Sequence, residues 1–210
     1  TYAIKSTKCA ELTIKDCVIK ENQSAIFLSR SHTVNIINCD IRDNINTTDK
    51  LEIIRFSDYF NGVTGVSIIN SSITNNLSRR DIIFASRTGI FSMVNSRVEG
   101  NKIESNTTGM DKNCSIIQVN GGNISVLNSS ISRNELKDNE DSTGVVYIGS
   151  ANEINFDNCE INNNKLYGAY ATSSDKAGIV HNNTSNSFSM KKCNVSGNQH
   201  LNFGSGCGVI

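Results

Sequence analysis

Glu21 and Asp43 are the residues of this chain best placed for acid–base chemistry. Each sits between a basic residue and an asparagine, in Lys20-Glu21-Asn22 and Arg42-Asp43-Asn44. Two carboxylates held side by side raise one pKa or hold a cation, the arrangement that glycoside hydrolysis uses. No third carboxylate or invading basic residue completes the group. Outward acids alternating with Lys or Arg form solvated ion pairs of little worth, and no catalytic residue is assigned. The acidic run "ELKDNEDS" from Glu135 carries calcium-ligand types without the glycine-anchored spacing of a dedicated loop, so it reads as a solvated connection.

The seven cysteines invite metal or redox chemistry, yet no CxxC or CxxH spacing occurs, and no metal or cofactor is expected. Cys17, Cys39, Cys159 and Cys193 share one place in a repeated phrase that serine fills elsewhere, which asks for a small inward side chain. Neighbours 17/39 and 159/193 can oxidise if stacking brings them within reach, although in-register stacking points both thiols the same way. Cys9, Cys114 and Cys207, like His32, His181 and His200, fall at unrelated places.

That phrase organises everything else. Seven ungapped copies run along the chain: "LTIKDCVIKEN" from Leu12, "VNIINCDIRDN" from Val34, "VSIINSSITNN" from Val66, "FSMVNSRVEGN" from Phe91, "ISVLNSSISRN" from Ile124, "INFDNCEINNN" from Ile154 and "FSMKKCNVSGN" from Phe188. Positions one and three are apolar, the alternation of a strand with one buried face. The apolar parity then slips to positions six and eight. Asn or Asp at position five, which tolerates the left-handed conformation, marks a bend there. Each copy closes on Asn22, Asn44, Asn76, Asn101, Asn134, Asn164 or Asn198, a column able to bond along itself and read as structural.

A third apolar run follows each phrase: "AIFL" at 25, "IIRF" at 53, "IIFA" at 82, "SIIQV" at 115, "VVYI" at 145, "GIV" at 178 and "GVI" at 208. Three short strands per repeat, each beside its counterpart one repeat away, wind an all-β parallel β-helix of about seven rungs, one domain over 1–210. A leucine-rich repeat is the rival, and 26 Ile against 8 Leu with no helical period counts against it. The absence of proline suits stacked ladders that need every N–H. The opening "YAIK" reads as a third strand of a preceding rung and Ile210 falls inside another. Uncapped ends and a segment of a longer solenoid are therefore expected.

Phrases such as "GGNISVLNSSISRN" resemble the right-handed β-helix repeats of the pectin-lyase-like superfamily, among them protist adhesin-like surface proteins and chlamydial polymorphic membrane proteins. Of the chlamydial pattern only fragments occur, Gly121, Gly122 and the Asn-ended phrases. The resemblance implies a right-handed coil, and an adhesin or binding scaffold at a cell surface or outside the cell.

Twenty basic residues balance twenty acidic ones, so no global field draws the chain to nucleic acid or an anionic membrane. No apolar run is long enough to span a bilayer. Position four points outward but holds Ile37, Ile69, Val94 and Leu127 in consecutive copies, an exposed apolar stripe suited to contact. Connections of very different length lie along one side, and Tyr59, Phe60, Tyr167 and Tyr170 are their aromatic anchors. Eleven Asn-x-Ser/Thr triplets lean towards secretion, with Asn46 and Asn106 the expected glycan acceptors. The function read from these features is a non-enzymatic surface or secreted scaffold binding a protein, a glycan or another copy of itself. A filament protein stacked end to end and a degenerate polysaccharide enzyme are the alternatives.

Overall fold

The chain folds as a parallel β-solenoid without helices among the described residues. The computed structural model describes residues 2–7, 9–23, 25–30, 32–48, 51–57, 63–104, 114–138, 144–168 and 178–201. The phrases build a front sheet whose strands include Glu11–Lys15, Thr33–Ile37, Val63–Ile69, Thr88–Val94, Asn123–Leu127 and Ser185–Lys191. They pair in parallel and in register: Ile14 lies beside Ile36, Ile36 beside Ile68, Ile68 beside Met93, and Met93 beside Val126. Positions one and three therefore stack into two internal files. From Val34 to Phe156 those files are fully buried.

Two turns, not one, follow each front strand. The first is the expected bend at position five, where Asp16, Asn38, Asn70, Asn95, Asn128, Asn158 and Lys192 all have φ between 48° and 54°. The second lies at position ten, where Glu21, Asp43, Asn75, Gly100, Arg133, Asn163 and Gly197 have φ between 53° and 64°. Between the bends runs a seven-stranded middle sheet, including Asp40–Arg42, Ser72–Thr74, Arg97–Glu99 and Ser130–Ser132. Its central residue, such as Ile41, Ile73, Val98, Ile131 or Ile161, is buried.

After the second bend comes a side sheet that corrects the expected three strands per turn to four. Ile45–Asn46, Leu77–Ser78, Lys102–Glu104, Glu135–Asp138, Lys165–Gly168 and Gln199–Leu201 pair in that order. These strands are short and point inward through unlike residues, Asn46, Ser78, Ile103, Leu136 and Leu166. The third apolar run then forms a back sheet. Its strand Gly144–Asp157 continues without a break into the front sheet, which joins the two into one of thirteen strands. Tyr2–Thr7 pairs with Ala25–Arg30 in this back sheet, as "YAIK" suggested, while "GVI" at 208 lies outside the described residues.

Seven copies of the phrase do not make seven closed turns. The first coil has no side-sheet strand among the described residues, and the outer coils are only partly sealed. Leu12, Met190, Cys193 and Val195 are partly buried, and Phe188 is 36% exposed.

Candidate functional site

The first bend exposes a column of amides that the middle sheet walls on one side. Asn38 Nδ2 donates to Asp16 Oδ1 at 2.9 Å, and Asn70, Asn95, Asn128 and Asn158 each donate to the residue one coil earlier at 3.3, 3.3, 3.2 and 2.9 Å. Beneath them the position-six side chains turn inward. Ser71, Ser96 and Ser129 each donate a hydroxyl to the carbonyl two residues earlier, at 2.8, 2.8 and 2.7 Å. Their oxygens accept backbone N–H groups from the coil before: Cys39 and Ser71 at 3.1 and 3.0 Å, and Ser96 at 3.1 Å. A thiol makes the same carbonyl contact more weakly, which explains the exchange of Ser and Cys.

Together these columns floor an open polar groove of about 600 Å³ running along the solenoid. Ser72, Arg97, Ser130 and Glu160 stand on its middle-sheet wall, and Lys192 closes one end. Arg97 Nε donates to Ser72 Oγ at 3.0 Å, so the cation is held in the plane of the wall. Each interior ladder amide uses one N–H and one oxygen lone pair on its neighbours. A second donor and a second acceptor per coil face solvent, repeating at about the 4.8 Å separation of strands.

The closing asparagines form the opposite kind of column. Asn44, Asn76, Asn101, Asn134 and Asn164 are at most 1% exposed. Each Oδ1 receives two bonds from the preceding asparagine, its backbone N–H and its amide, as when Asn76 donates to Asn101 at 3.0 and 2.9 Å. The other amide hydrogen goes to a middle-strand carbonyl, Ile73 in the case of Asn101, at 2.8 Å. This column is structural, with no free polar valence for a ligand.

The apolar stripe is one outward column of the front sheet, in the order Lys15, Ile37, Ile69, Val94, Leu127, Asp157, Lys191. Its four apolar members are half-buried by their own neighbours, so the surface is shallower than the sequence suggests. Tyr167 is half-buried, with Lys137 Nζ 5.4 Å from its ring centre. Tyr59, Phe60, Tyr170 and Asn106 lie outside the described residues.

Asn46 is not the exposed acceptor its triplet suggests. It is 1% exposed and its amide donates to the Leu51 carbonyl, while its oxygen accepts from Thr48 at 2.9 Å. Among the other triplets, Asn70, Asn123, Asn128, Asn183 and Asn194 are exposed. Glu21 and Asp43 stand on the second bend, outside the groove, each beside its own basic neighbour: Lys20 at 3.2 Å and Arg42 at 2.8 Å. Cys9, Cys17, Cys39, Cys114, Cys159 and Cys193 are all free thiols. Among the described residues no three His, Cys, Asp or Glu side chains gather as metal ligands.

Two buried acids escaped the sequence reading. Glu52 is 2% exposed and holds Arg55 Nη1 with both oxygens at 2.9 Å. Asp81, 1% exposed, sits one coil on and accepts the Ser115 N–H at 2.6 Å. Burial, and then the charge of Glu52, push the Asp81 carboxyl well above the usual range. Both immediately precede a back-sheet Ile-Ile pair, and that shared frame was the available signal.

No protein-family model, curated protein or solved structure matches this chain.

Proposed function

We propose that this chain is a non-enzymatic binding scaffold, secreted or displayed at a cell surface, that holds an extended polar partner along its first bend. The observation that carries this reading is the groove: the same exposed amide recurs in it once per coil, at Asn70, Asn95, Asn128 and Asn158. A partner that itself repeats along its length, a linear glycan or an extended protein segment, meets matching donors and acceptors at each step. The adhesin-like role and the right-handed, pectin-lyase-like form of the coil belong to this proposal. Exposed triplets at Asn123 and Asn183, outside the groove lining, support a secretory route. The groove's lining includes one carboxylate, Glu160, where glycoside hydrolysis uses two, which favours binding over turnover.

The test is binding of the labelled chain to arrayed polysaccharides and extracellular-matrix proteins, beside a Ser72→Arg/Ser130→Arg double variant. Both serines stand on the groove wall, so the bulk fills the groove and leaves the internal files alone. Loss of at least tenfold in affinity with an unchanged unfolding midpoint is expected. Equal binding by the variant, or release of sugars from a bound polysaccharide, overturns the proposal.

A further inference from the structure

Four cysteines share the inward position-six column, and they fall in two neighbouring pairs. Coil by coil the column reads Cys17, Cys39, Ser71, Ser96, Ser129, Cys159, Cys193. Serine is the better residue for the bonds made there. Ser71, Ser96 and Ser129 reach the carbonyl two residues earlier at 2.8, 2.8 and 2.7 Å. The thiols of Cys17, Cys39, Cys159 and Cys193 reach theirs at 3.1, 3.2, 3.3 and 3.2 Å, and a thiol is a weak donor. A small inward side chain is thus satisfied by serine. What two successive cysteines offer, and serine does not, is a covalent bond.

The members of a pair lie one strand separation apart, about 4.8 Å at the backbone, which is inside the Cα range of disulfides. Their sulfurs do not simply point side by side into the core. The later sulfur of each pair leans back into the earlier coil: Cys39 Sγ donates to the Ile14 carbonyl and Cys193 Sγ to the Phe156 carbonyl, both at 3.5 Å. Cys39 Sγ also accepts the Cys17 backbone N–H, and the Cys159 and Cys193 thiols interact side chain to side chain. A turn of the earlier side chain about χ1 and an approach of the coils by roughly 0.3 Å or more complete a disulfide. The outer coils have that latitude. Leu12, Cys17 and Ile19 at one end, and Met190, Cys193 and Val195 at the other, are only partly buried, whereas Ser71, Ser96 and Ser129 are sealed between coils.

We propose that Cys17 with Cys39, and Cys159 with Cys193, are oxidation sites, each pair closing to a disulfide that ties an outer coil to its neighbour. The oxidant is a small disulfide of the glutathione class, of the kind met along a secretory route. Burial pushes the Cys159 thiol up to about 11 and raises Cys39, so the first attack falls to half-buried Cys17 and Cys193. The outer thiol gives its proton to solvent, and its thiolate attacks one oxidant sulfur. The oxidant S–S bond breaks and releases one small thiolate. The inner thiol then gives up its proton and attacks the outer sulfur, which releases the second. Two electrons pass to the oxidant, two protein S–H bonds become one S–S bond, and the oxidant leaves as two thiols.

A bond between coils removes the freedom of the outer strands to part from the stack. At one end it also touches the groove. Asn158 and Glu160 flank Cys159, Lys192 and Asn194 flank Cys193, and all four line the groove. Oxidation thus fixes the spacing of the groove's last two coils, whatever the groove binds.

The test incubates the folded chain, carrying Cys9→Ser and Cys207→Ser to remove competing thiols, with oxidised glutathione or with dithiothreitol. Intact mass is expected to fall by two hydrogens per pair, and peptide mapping to find Cys17 joined to Cys39 and Cys159 to Cys193. Native-state hydrogen exchange at Val18–Lys20 and Asn194–Ser196 is expected to slow about tenfold or more on oxidation, and to recover with dithiothreitol. A further Cys159→Ser/Cys193→Ser variant, whose serines suit the column as Ser129 does, is expected to fold, to lose the response at Asn194–Ser196 and to keep it at Val18–Lys20. A pair whose thiols persist under the oxidant overturns the proposal for that pair. Glutathione adducts that never resolve, links between the two pairs, or exchange rates indifferent to oxidation overturn it altogether.

Discussion

Asn101→Leu replaces a buried amide with an apolar group of nearly the same size, and the cost follows from the bonds removed. Asn101 Oδ1 accepts the Asn76 backbone N–H at 3.0 Å and the Asn76 amide at 2.9 Å, while its own amide donates to Ile73 O at 2.8 Å and to Asn134 Oδ1 at 3.1 Å. Asn134 Oδ1 keeps the Asn101 backbone N–H at 3.0 Å, and the Asn76 amide keeps Ile41 O at 3.1 Å. The Asn76 N–H and the Ile73 carbonyl lose a bond where no water reaches. At about 1 to 3 kcal/mol for each of the two buried groups left unsatisfied, the loss is roughly 2 to 6 kcal/mol. That is a large part of a domain's whole stability and lowers Tm by roughly 4 to 24 °C. The matched control is Asn95→Gly on the outer ladder. Asn95 is exposed with φ of 49°, so water replaces its ladder bonds and glycine relieves its backbone. Its cost is expected within about 1 kcal/mol. Calorimetry and urea unfolding read both variants, and native-state hydrogen exchange at the Asn76 N–H reads the local effect. Equal stability losses for the two variants would refute the assignment of the inner ladder as the stabilising one.

Burial raises the folded pKa of Asp81 above its unfolded value, so the fold holds an extra proton there. Its contribution is complete below the ordinary aspartate range and is lost as pH rises through the raised value. Asp81→Asn keeps an oxygen for the Ser115 N–H and is expected to flatten stability against pH above the ordinary aspartate range; an unaltered slope in urea titrations at several pH values would count against it. Burial likewise pushes the Cys159 thiol up to about 11 and raises Cys39. Iodoacetamide at neutral pH is therefore expected to modify exposed Cys9 well before Cys39 or Cys159, as mass spectrometry of the folded chain would show, and early labelling of Cys159 would contradict the sealed core.

The strands of the front and middle sheets were legible because their inward residues are apolar in every copy at constant spacing, and Ile or Val throughout the middle sheet. The side sheet was not. Its inward residues run Asn46, Ser78, Ile103, Leu136 and Leu166, and a strand of two or three residues is too short to show alternation. The second bend hid for a related reason. Asn75, Asn163, Gly100 and Gly197 announce a left-handed conformation, but Glu21 and Arg133 at the same place do not, and Glu21 with Asp43 drew attention as a carboxylate pair instead. At Asn46 the triplet was visible and its burial was not, since burial there depends on the side sheet.

Position five and position eleven show how far residue type alone reaches. Both are asparagine columns, and in the sequence they look alike. Their polarity is opposite: in the outer column each amide donates toward the preceding coil, in the inner one toward the next. The outer residue adopts positive φ and turns its amide into solvent; the inner one follows a second bend and stacks in the core, where both amide hydrogens and the oxygen are committed. A column with every valence satisfied fixes the spacing of coils and can bind nothing. A column with half its valences open inherits that spacing and presents it outside. The regularity of the groove is thus set by the buried ladder, and a substitution such as Asn101→Leu is expected to disorder the exposed amides of neighbouring coils before the coil itself opens.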